Sequence, residues 1–135
     1  MDHQFELPLA PRWFREVLIL GAVSWIFYYS LLSDPPGVPE PGFVPTDVAL
    51  HLFAYFVLGL LIAYGLVDVN LDRRQKLVLL IIVTGGYGLI IELLQGLIPL
   101  RMFSLLDMAA NVIGAVMSGI WYLVEDRFEF YPHLP

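Results

Sequence analysis

Four apolar stretches alternate with short polar segments along the chain, and each is long enough to form a helix that crosses a membrane. They cover about residues 13–32, 48–67, 77–98 and 105–124. A helix needs roughly 17 to 25 apolar residues to cross a hydrocarbon core, and four spans are too few to close a β-barrel. The pattern predicts an all-α integral membrane protein, a bundle of four transmembrane helices in a single domain of residues 1–135.

The segments that connect these helices differ in kind. Residues 33–46 hold five prolines, which exclude a helix and favour an extended strap outside the membrane. Only a few residues, from Pro99 to Ser104, join the third and fourth helices, so these two helices are expected to be antiparallel neighbours. Residues 125–135 carry three aromatic side chains and are expected to rest on the inner membrane surface.

Composition and charge agree with a membrane protein and exclude some functions. Of the 135 residues, 59% are hydrophobic and 15% are charged, which is too apolar for one core with a soluble surface. There is no cysteine, so disulfides and thiolate chemistry are excluded. The net charge of -6, with seven basic residues, argues against a nucleic-acid partner. Membrane lipids are the expected surroundings.

The basic residues predict the orientation in the membrane. Short cytoplasmic segments carry an excess of Lys and Arg. One side of the predicted bundle holds Arg101 alone, and the other side holds the remaining basic residues, Arg12, Arg15, Arg73, Arg74, Lys76 and Arg127. A multi-pass protein of the cell membrane is therefore predicted, with both termini cytoplasmic and with the strap and the Arg101 turn facing outward.

Polar side chains gather near the outward ends of three predicted helices. An ionisable side chain among lipid tails costs at least about 2.5 to 3.5 kcal/mol and usually has a function. The second helix carries such residues on one face, and so do the third and the fourth; they are Asp47 and His51, Glu92 and Gln95, and Asp107 and Asn111. At about 1.5 Å of rise per residue they lie at a shared depth. The pattern predicts a polar pocket that opens outward between these three helices.

Small residues follow the same faces. Gly85, Gly88 and Gly96 flank Glu92 on the third helix, and Gly114 and Ser118 continue the face of Asp107 and Asn111 on the fourth. Small residues at this spacing let membrane helices approach closely, so the polar faces are expected to point at one another. The first helix offers Ser24 and three aromatic residues near its outward end, namely Trp25, Tyr28 and Tyr29, which are typical of interfacial anchors.

The ordered polar residues resemble the pattern of the VanZ-like family, which is associated with teicoplanin resistance. The resemblance covers residues 47–121 and departs in the last spacer, where Ser118 or Gly119 takes the place of the final glycine. It is carried by Asp47, His51, Tyr55, Leu58, Gly59, Glu92, Gln95, Pro99, Arg101, Ser104, Asp107, Asn111 and Gly114. The resemblance implies a small polytopic membrane protein, in some cases linked to glycopeptide tolerance at the cell surface.

The first functional hypothesis is that the cluster recognises an amphiphilic cell-envelope molecule, such as a lipid-linked head group, and modifies it by acid/base chemistry. Arg101 is the expected grip for a phosphate or carboxylate. His51 and Glu92 are the expected proton-handling pair, oriented by Asp107 and Asn111. Other expected contacts to the substrate are Asp47, Gln95, Ser104 as a candidate nucleophile, and Tyr55 as either a hydrogen-bond donor or a packing residue.

Two further hypotheses stay open. The cluster can bind a lipid head group or a cation, or transport it, without chemistry; His51, Glu92, Asp107 and Asp47 are plausible metal ligands, although their spacing matches no specific metal motif. The cluster can also be a purely structural network, with Arg101 paired to Asp107 or Glu92 and His51 donating to Asp47 or Asn111. No cofactor and no oligomeric state are indicated by the sequence.

Overall fold

A computed structural model describes residues 5–33, 46–99 and 101–132 of the chain. Four helices in it are long and apolar enough to cross a membrane by length and composition, and they cover Arg12–Leu32, Asp47–Gly65, Arg73–Gln95 and Leu105–Arg127. The prediction of four such helices is confirmed. The strap falls almost wholly outside the described residues, since positions 34–45 are not among them.

The helices form an up-and-down bundle. Helix α1 covers Arg12–Phe27 and continues as a wider, π-type turn, Tyr28–Leu32. Helix α2 covers Thr46–Gly65, α3 covers Arg73–Gln95 and α4 covers Leu105–Met117. The fourth span then continues through a 3₁₀ turn at Ser118–Ile120, the short helix α5 at Trp121–Val124 and a second 3₁₀ turn at Glu125–Arg127.

Side-chain caps fix where two of the helices begin. The Asp72 carboxylate accepts a hydrogen bond from the backbone N–H of Gln75, and the Gln75 side chain accepts one from the N–H of Asp72, which is a complete capping box for α3. The Ser104 hydroxyl accepts a hydrogen bond from the N–H of Asp107 and caps α4. The second cap brings the start of α4 directly beside the polar cluster.

Two short strands pair at one end of the bundle, and the sequence pattern did not predict them. Strand β1, Phe5–Leu9, precedes α1, and strand β2, Phe128–Pro132, follows the fourth span. They are parallel, with Phe5 opposite Phe128 and Leu9 opposite Pro132. The segment expected to lie on the membrane surface is therefore a strand over these residues. We call this end of the bundle the terminal end and the opposite one, with Asp47 and Arg101, the distal end.

The helices pack most closely where glycines face a neighbour. At Gly114 a side chain would run into the backbone of α2 at Leu52 and Phe56, and at Gly88 it would meet Asn111 and Tyr55. Gly59 lies against Ser118 in the same way. These contacts confirm the predicted role of Gly88, Gly114 and Ser118 in packing.

The predicted packing role of Gly85 is wrong. A side chain at that position would meet nothing within 4 Å, because the helix turns this glycine away from its neighbours.

The centre of the bundle holds both apolar and polar side chains, and the outside is largely apolar. The centre of the bundle includes Tyr55, Leu58 and Leu80, but also the polar side chains of Thr84 and Ser118, all with almost no exposure. Large apolar side chains cover the outside. Among the spans, the buried share rises from 11% in the first to 39% in the fourth, so α4 is central and α1 is peripheral.

Candidate functional site

The polar residues predicted from the sequence meet at the distal end. His51 Nδ1 lies 2.9 Å from Asn111 Oδ1 and 3.6 Å from Glu92 Oε1, so α2, α3 and α4 all contribute to one cluster. His51 Nε2 lies 3.7 Å from Asp47 Oδ1, one turn earlier on α2. A ligand atom of Asp107 lies within 4.8 Å of ligand atoms of Asp47 and His51. The antiparallel packing of α3 and α4 therefore places their polar faces around the His51 ring.

Burial divides this cluster into an inner and an outer part. Glu92 and Asn111 have no exposed surface, and Asp107 is 8% exposed. The side chain of Asp47, by contrast, is 50% exposed, and that of His51 is 10% exposed. The His51 imidazole therefore lies between buried polar side chains on one side and the half-exposed side chain of Asp47 on the other.

Glu92 is held by the start of α4. Its Oε2 atom accepts a hydrogen bond of 3.3 Å from the backbone N–H of Ser104. Its Oε1 atom is buried without a hydrogen-bond partner in the part of the chain that the structure describes, and this atom is the one nearest to His51. The hydroxyl of Ser104, the candidate nucleophile, serves as the helix cap.

Arg101 and Gln95 reach the end of α1 instead of the carboxylates. Arg101 Nη2 donates to the carbonyl oxygen of Ser33 at 2.6 Å and to that of Tyr29 at 3.4 Å, and Gln95 Nε2 donates to that of Ser30 at 2.9 Å. The last carbonyl groups of a helix have no partner within it, so side chains from other elements satisfy them. The expected pairing of Arg101 with Asp107 or Glu92 is therefore wrong.

Tyr55 lies one turn below His51 and packs against it. The two rings are parallel within 5°, with centroids 6.4 Å apart. The Tyr55 hydroxyl is buried and has no hydrogen-bond partner among the described residues. The packing interpretation of this residue fits the ring contact, and its hydroxyl is directed into the interior.

A cavity of about 740 Å³ opens beside the cluster, between α1 and α2. Asp47, His51, Gln95 and Arg101 line its polar end. Its remaining walls are mostly apolar and include Trp25, Ile26, Leu50, Phe53, Ala54 and Val57. A second cavity, of about 750 Å³, lies at the terminal end between Arg73, Lys76, Glu125 and Glu129, away from every predicted site residue.

The position of the cavity corrects the prediction. A pocket between the second, third and fourth helices was expected, but these helices are in close contact at Gly88 and Gly114, and the cavity of about 740 Å³ is not between them. The space lies instead against the peripheral first helix, and Trp25 and Tyr29, expected to be interfacial anchors, line it. The sequence analysis did not predict that α1 forms a wall of the cavity. Among the described residues, the distal part of α1 contributes backbone carbonyl groups and aromatic rings but no charged side chain, and the analysis relied on charged residues.

Comparison with known proteins finds a relative in fission yeast. The chain is 34% identical over 129 residues to the uncharacterized protein C11E3.10 of Schizosaccharomyces pombe, and the alignment covers 90% of this chain and 75% of that protein. No family model matches the sequence, and the VanZ-like resemblance stays a prediction. No solved structure matches either. The extent and identity of the alignment show that the chain belongs to the same family as the fission yeast protein C11E3.10.

Proposed function

We propose that this protein is a multi-pass membrane protein that binds an amphiphilic molecule of the cell envelope, with an anionic head group at the distal end and an apolar part between α1 and α2. The observation that carries the proposal is that a polar end and apolar walls belong to one continuous cavity of about 740 Å³. This volume falls in the range of about 300 to 1,000 Å³ that is usual for small-molecule sites.

Arg101 supports the proposed recognition of an anionic group. Only its Nη2 atom donates hydrogen bonds within the described part of the chain, to two carbonyl oxygens. Its other guanidinium N–H groups have no partner among the described residues and can donate to a ligand, and the planar fork matches the oxygens of a phosphate or a carboxylate. The backbone contacts hold the guanidinium at the cavity wall, so little additional ordering is needed on binding.

The apolar walls support an entry route from the side. Trp25 and Phe53 line the cavity, and each is 64% exposed, so the cavity is open along the outer surface of the bundle. A molecule in a surrounding bilayer can slide its chain between α1 and α2 without passing through water. Exposed apolar side chains cover the rest of this surface, including Trp13, Leu20, Ile82 and Ile113.

Recognition fits the geometry better than acid/base modification. His51 lines the cavity, but its proposed proton-handling partner Glu92 is fully buried behind it. The Ser104 hydroxyl accepts the capping hydrogen bond of α4. Modification of the bound amphiphile is the second candidate, because His51 lines the cavity and an imidazole can act as a general acid or base. It predicts turnover of envelope lipids that His51→Gln abolishes while binding persists.

The VanZ-like assignment is part of this proposal. Residues of the family pattern, among them His51, Glu92, Asn111 and Arg101, converge on the distal end of the bundle. An amphiphile-binding pocket at the outer face of a cell membrane offers a physical basis for a link to glycopeptide tolerance. Location in the cell membrane with cytoplasmic termini belongs to the same proposal, supported by the distribution of basic residues.

The test is a matched pair of variants that add the same side chain in two places. Ala54 lines the cavity and Ala109 is exposed on the outside of α4. We expect Ala54→Phe to fill the cavity and reduce binding of phosphatidylglycerol to the delipidated protein by at least about tenfold, because overlapping volume excludes the ligand. Ala109→Phe should bind as the wild type does. Native mass spectrometry of the protein with titrated lipid measures the bound fraction.

Arg101→Gln provides the second part of the test. Loss of the charged fork should remove the preference for phosphatidylglycerol over phosphatidylcholine and leave the binding of the apolar part intact. Melting temperatures of all variants show whether each one is folded. Equal binding by wild type and by a folded Ala54→Phe variant would contradict the proposed site, and an unchanged lipid preference in Arg101→Gln would contradict the role of Arg101.

A further inference from the structure

Three carboxylates surround one imidazole at the distal end. Ligand atoms of Asp47, His51 and Asp107 all lie within 4.8 Å of one another, and Glu92 approaches the same ring from α3. In the described ranges, no Lys or Arg nitrogen lies within 4.0 Å of any of these three carboxylates. Arg101, the basic residue expected to neutralise them, donates to the carbonyl oxygens of α1.

The charges of this cluster are not balanced by the protein. Asp107 is 8% exposed and Glu92 has no exposed surface, so water cannot solvate them as it does Asp47. Burying an unpaired carboxylate is costly, and nearby positive charge or metal coordination is the usual remedy. A divalent cation held between Asp47, His51 and Asp107 would supply positive charge at this place.

The orientation of the imidazole places a nitrogen lone pair in the cluster. Asn111 Oδ1 lies 2.9 Å from His51 Nδ1, and the tautomer that satisfies this contact has its proton on Nδ1, which donates to the amide oxygen. In the neutral ring Nε2 then holds the lone pair, and this atom faces Asp47 Oδ1 at 3.7 Å. A lone pair directed at a carboxylate is unfavourable unless a cation lies between them. Histidine metal ligands have this arrangement, with the second ring nitrogen donating to an oxygen behind.

Glu92 gives an independent indication that the site takes a charged ligand. Its Oε1 atom is fully buried, has no hydrogen-bond partner in the described segments, and lies 3.6 Å from His51 Nδ1. Burying a carboxylate oxygen without a partner is costly, so this atom favours positive charge at the His51 ring.

We infer that Asp47, His51 and Asp107 form a binding site for a divalent cation of the Zn²⁺ or Mn²⁺ class, with Asn111 and Glu92 as positioning residues behind His51. One imidazole and two carboxylates suit these ions better than Mg²⁺ or Ca²⁺, which prefer oxygen ligands alone. The site goes beyond amphiphile binding, because all three ligands are side chains of this chain and hold the cation whether or not the cavity is filled.

The exposed side of the cation would face the cavity. Asp47 and His51 both line the polar end of the cavity, whereas Asp107 approaches from the buried side. Three protein ligands leave at least one coordination position open. A phosphate or carboxylate oxygen can occupy that position while Arg101 binds another oxygen of the same head group. The cation would also overcome the repulsion between an anionic head group and Asp47.

The experiment measures Zn²⁺ binding to chelator-treated full-length protein in detergent, by isothermal titration calorimetry with elemental analysis of the dialysed complex. We expect one Zn²⁺ per chain. His51→Gln and Asp107→Asn should each lower the affinity by at least about tenfold, because each removes one of three ligands. Glu129→Gln removes an exposed carboxylate on β2, away from the site, and should bind Zn²⁺ as the wild type does.

Two additional results keep this inference separate from the proposed function. Ala54 is not one of the three ligands, so the Ala54→Phe variant should still bind one Zn²⁺ per chain even though it loses lipid. Zn²⁺ should also raise the melting temperature of the wild type, and raise that of Asp107→Asn less. Substoichiometric Zn²⁺ in the wild type, or equal affinity in folded His51→Gln and Asp107→Asn, would overturn the cation site and leave amphiphile binding unaffected.

Discussion

Arg15 shows how a single charged side chain can be accommodated inside an apolar helix. It is 2% exposed, and its guanidinium donates to the carbonyl oxygens of Ala10, Tyr64 and Gly65 and to both carboxylate oxygens of Asp68, at 2.7 to 3.2 Å. Every one of these acceptors lies at the terminal end of α1 or α2. Arg15 therefore joins the two helices by hydrogen bonds at one end, whereas the cavity separates them at the other.

Arg15→Gln should destabilise the protein more than a surface substitution does. The change removes the charge and most of the donors, and it leaves buried carbonyl oxygens without partners, so we expect a loss of about 2 to 3 kcal/mol in the free energy of unfolding. Unfolding in mixed micelles of increasing SDS content measures the loss. The exposed ion pair of Arg12 and Glu16 supplies the control, and Arg12→Gln should change stability by less than about 0.5 kcal/mol.

The pH dependence of this contact follows from Asp68, which lies outside the spans. The hydrogen bonds from Arg15 hold the pKa of the Asp68 carboxyl below its ordinary value of 3.8. A lowered pKa in the folded state means that the stabilisation is complete above the ordinary pKa and is lost as the pH falls through the lowered pKa. Because the Asp68 side chain is 46% exposed, the effect is modest.

Melting temperatures should therefore differ between wild type and Asp68→Asn at pH 7 and converge as the pH falls below the ordinary pKa of 3.8, because the wild-type carboxyl then becomes protonated. Glu129→Gln removes an exposed carboxylate on β2 and should show no such convergence. A constant difference between wild type and Asp68→Asn down to pH 2 would contradict an ion-pair contribution.

At the scale of the helices, the closest approach is between α2 and α4. A Cβ atom at Gly114 would lie against the backbone of α2, including the nitrogen of Phe56 at 3.0 Å, and backbone atoms cannot move aside as a side-chain end can. Gly86 on α3 is the opposite case, since nothing lies within 4 Å of the position that its Cβ would take. Alanine substitution at the two positions therefore distinguishes the need for close packing at Gly114 from the low helix propensity of glycine, which affects both positions.

Gly114→Ala should lower the free energy of unfolding by about 1 to 3 kcal/mol because it forces α2 and α4 apart. Gly86→Ala should leave stability unchanged or raise it by up to about 1 kcal/mol, since alanine favours the helix. Both values can be measured by SDS-induced unfolding followed by circular dichroism. If the two substitutions changed the free energy of unfolding equally, the close contact between α2 and α4 would not explain the need for glycine at position 114.

The same elements show how far sequence reasoning reaches. Apolar length predicted the four helices within a few residues, and helical spacing predicted that His51, Glu92 and Asp107 would meet, because both depend on local periodicity. The cavity could not be predicted, since it depends on how far the peripheral α1 stands from α2. The pairing of β1 with β2 was also missed, because five-residue strands separated by the whole bundle leave no periodic signal.

At the scale of the whole molecule, the bundle has two chemically different ends. The terminal end holds β1, β2 and most of the basic residues, among them Arg15, Arg73 and Lys76. The distal end holds the carboxylate cluster and Arg101. Segments that carry an excess of Lys and Arg stay on the cytoplasmic side, so we expect the distal end to face outward.

The absence of cysteine in the sequence makes this orientation simple to test. Met102, which is 87% exposed, marks the distal end, and the exposed residue Asn70 marks the terminal end. A membrane-impermeant maleimide added to intact cells should label Met102→Cys directly and Asn70→Cys only after permeabilisation. The reverse pattern would place the cavity and its carboxylates on the cytoplasmic side and exclude a ligand from the outer face.

The parallel pairing of β1 with β2 has a consequence for biogenesis. Strand β1 is synthesised before the first helix and β2 after the fourth, so the hydrogen bonds between them can form only when every intervening segment has left the ribosome. Until then β1 has an unpaired edge and Phe5 lacks the aromatic neighbour that it has in Phe128, 6.2 Å away between ring centroids. Pairing of the two strands is thus a late step of assembly, and a nascent chain that stalls before β2 leaves the edge of β1 unpaired.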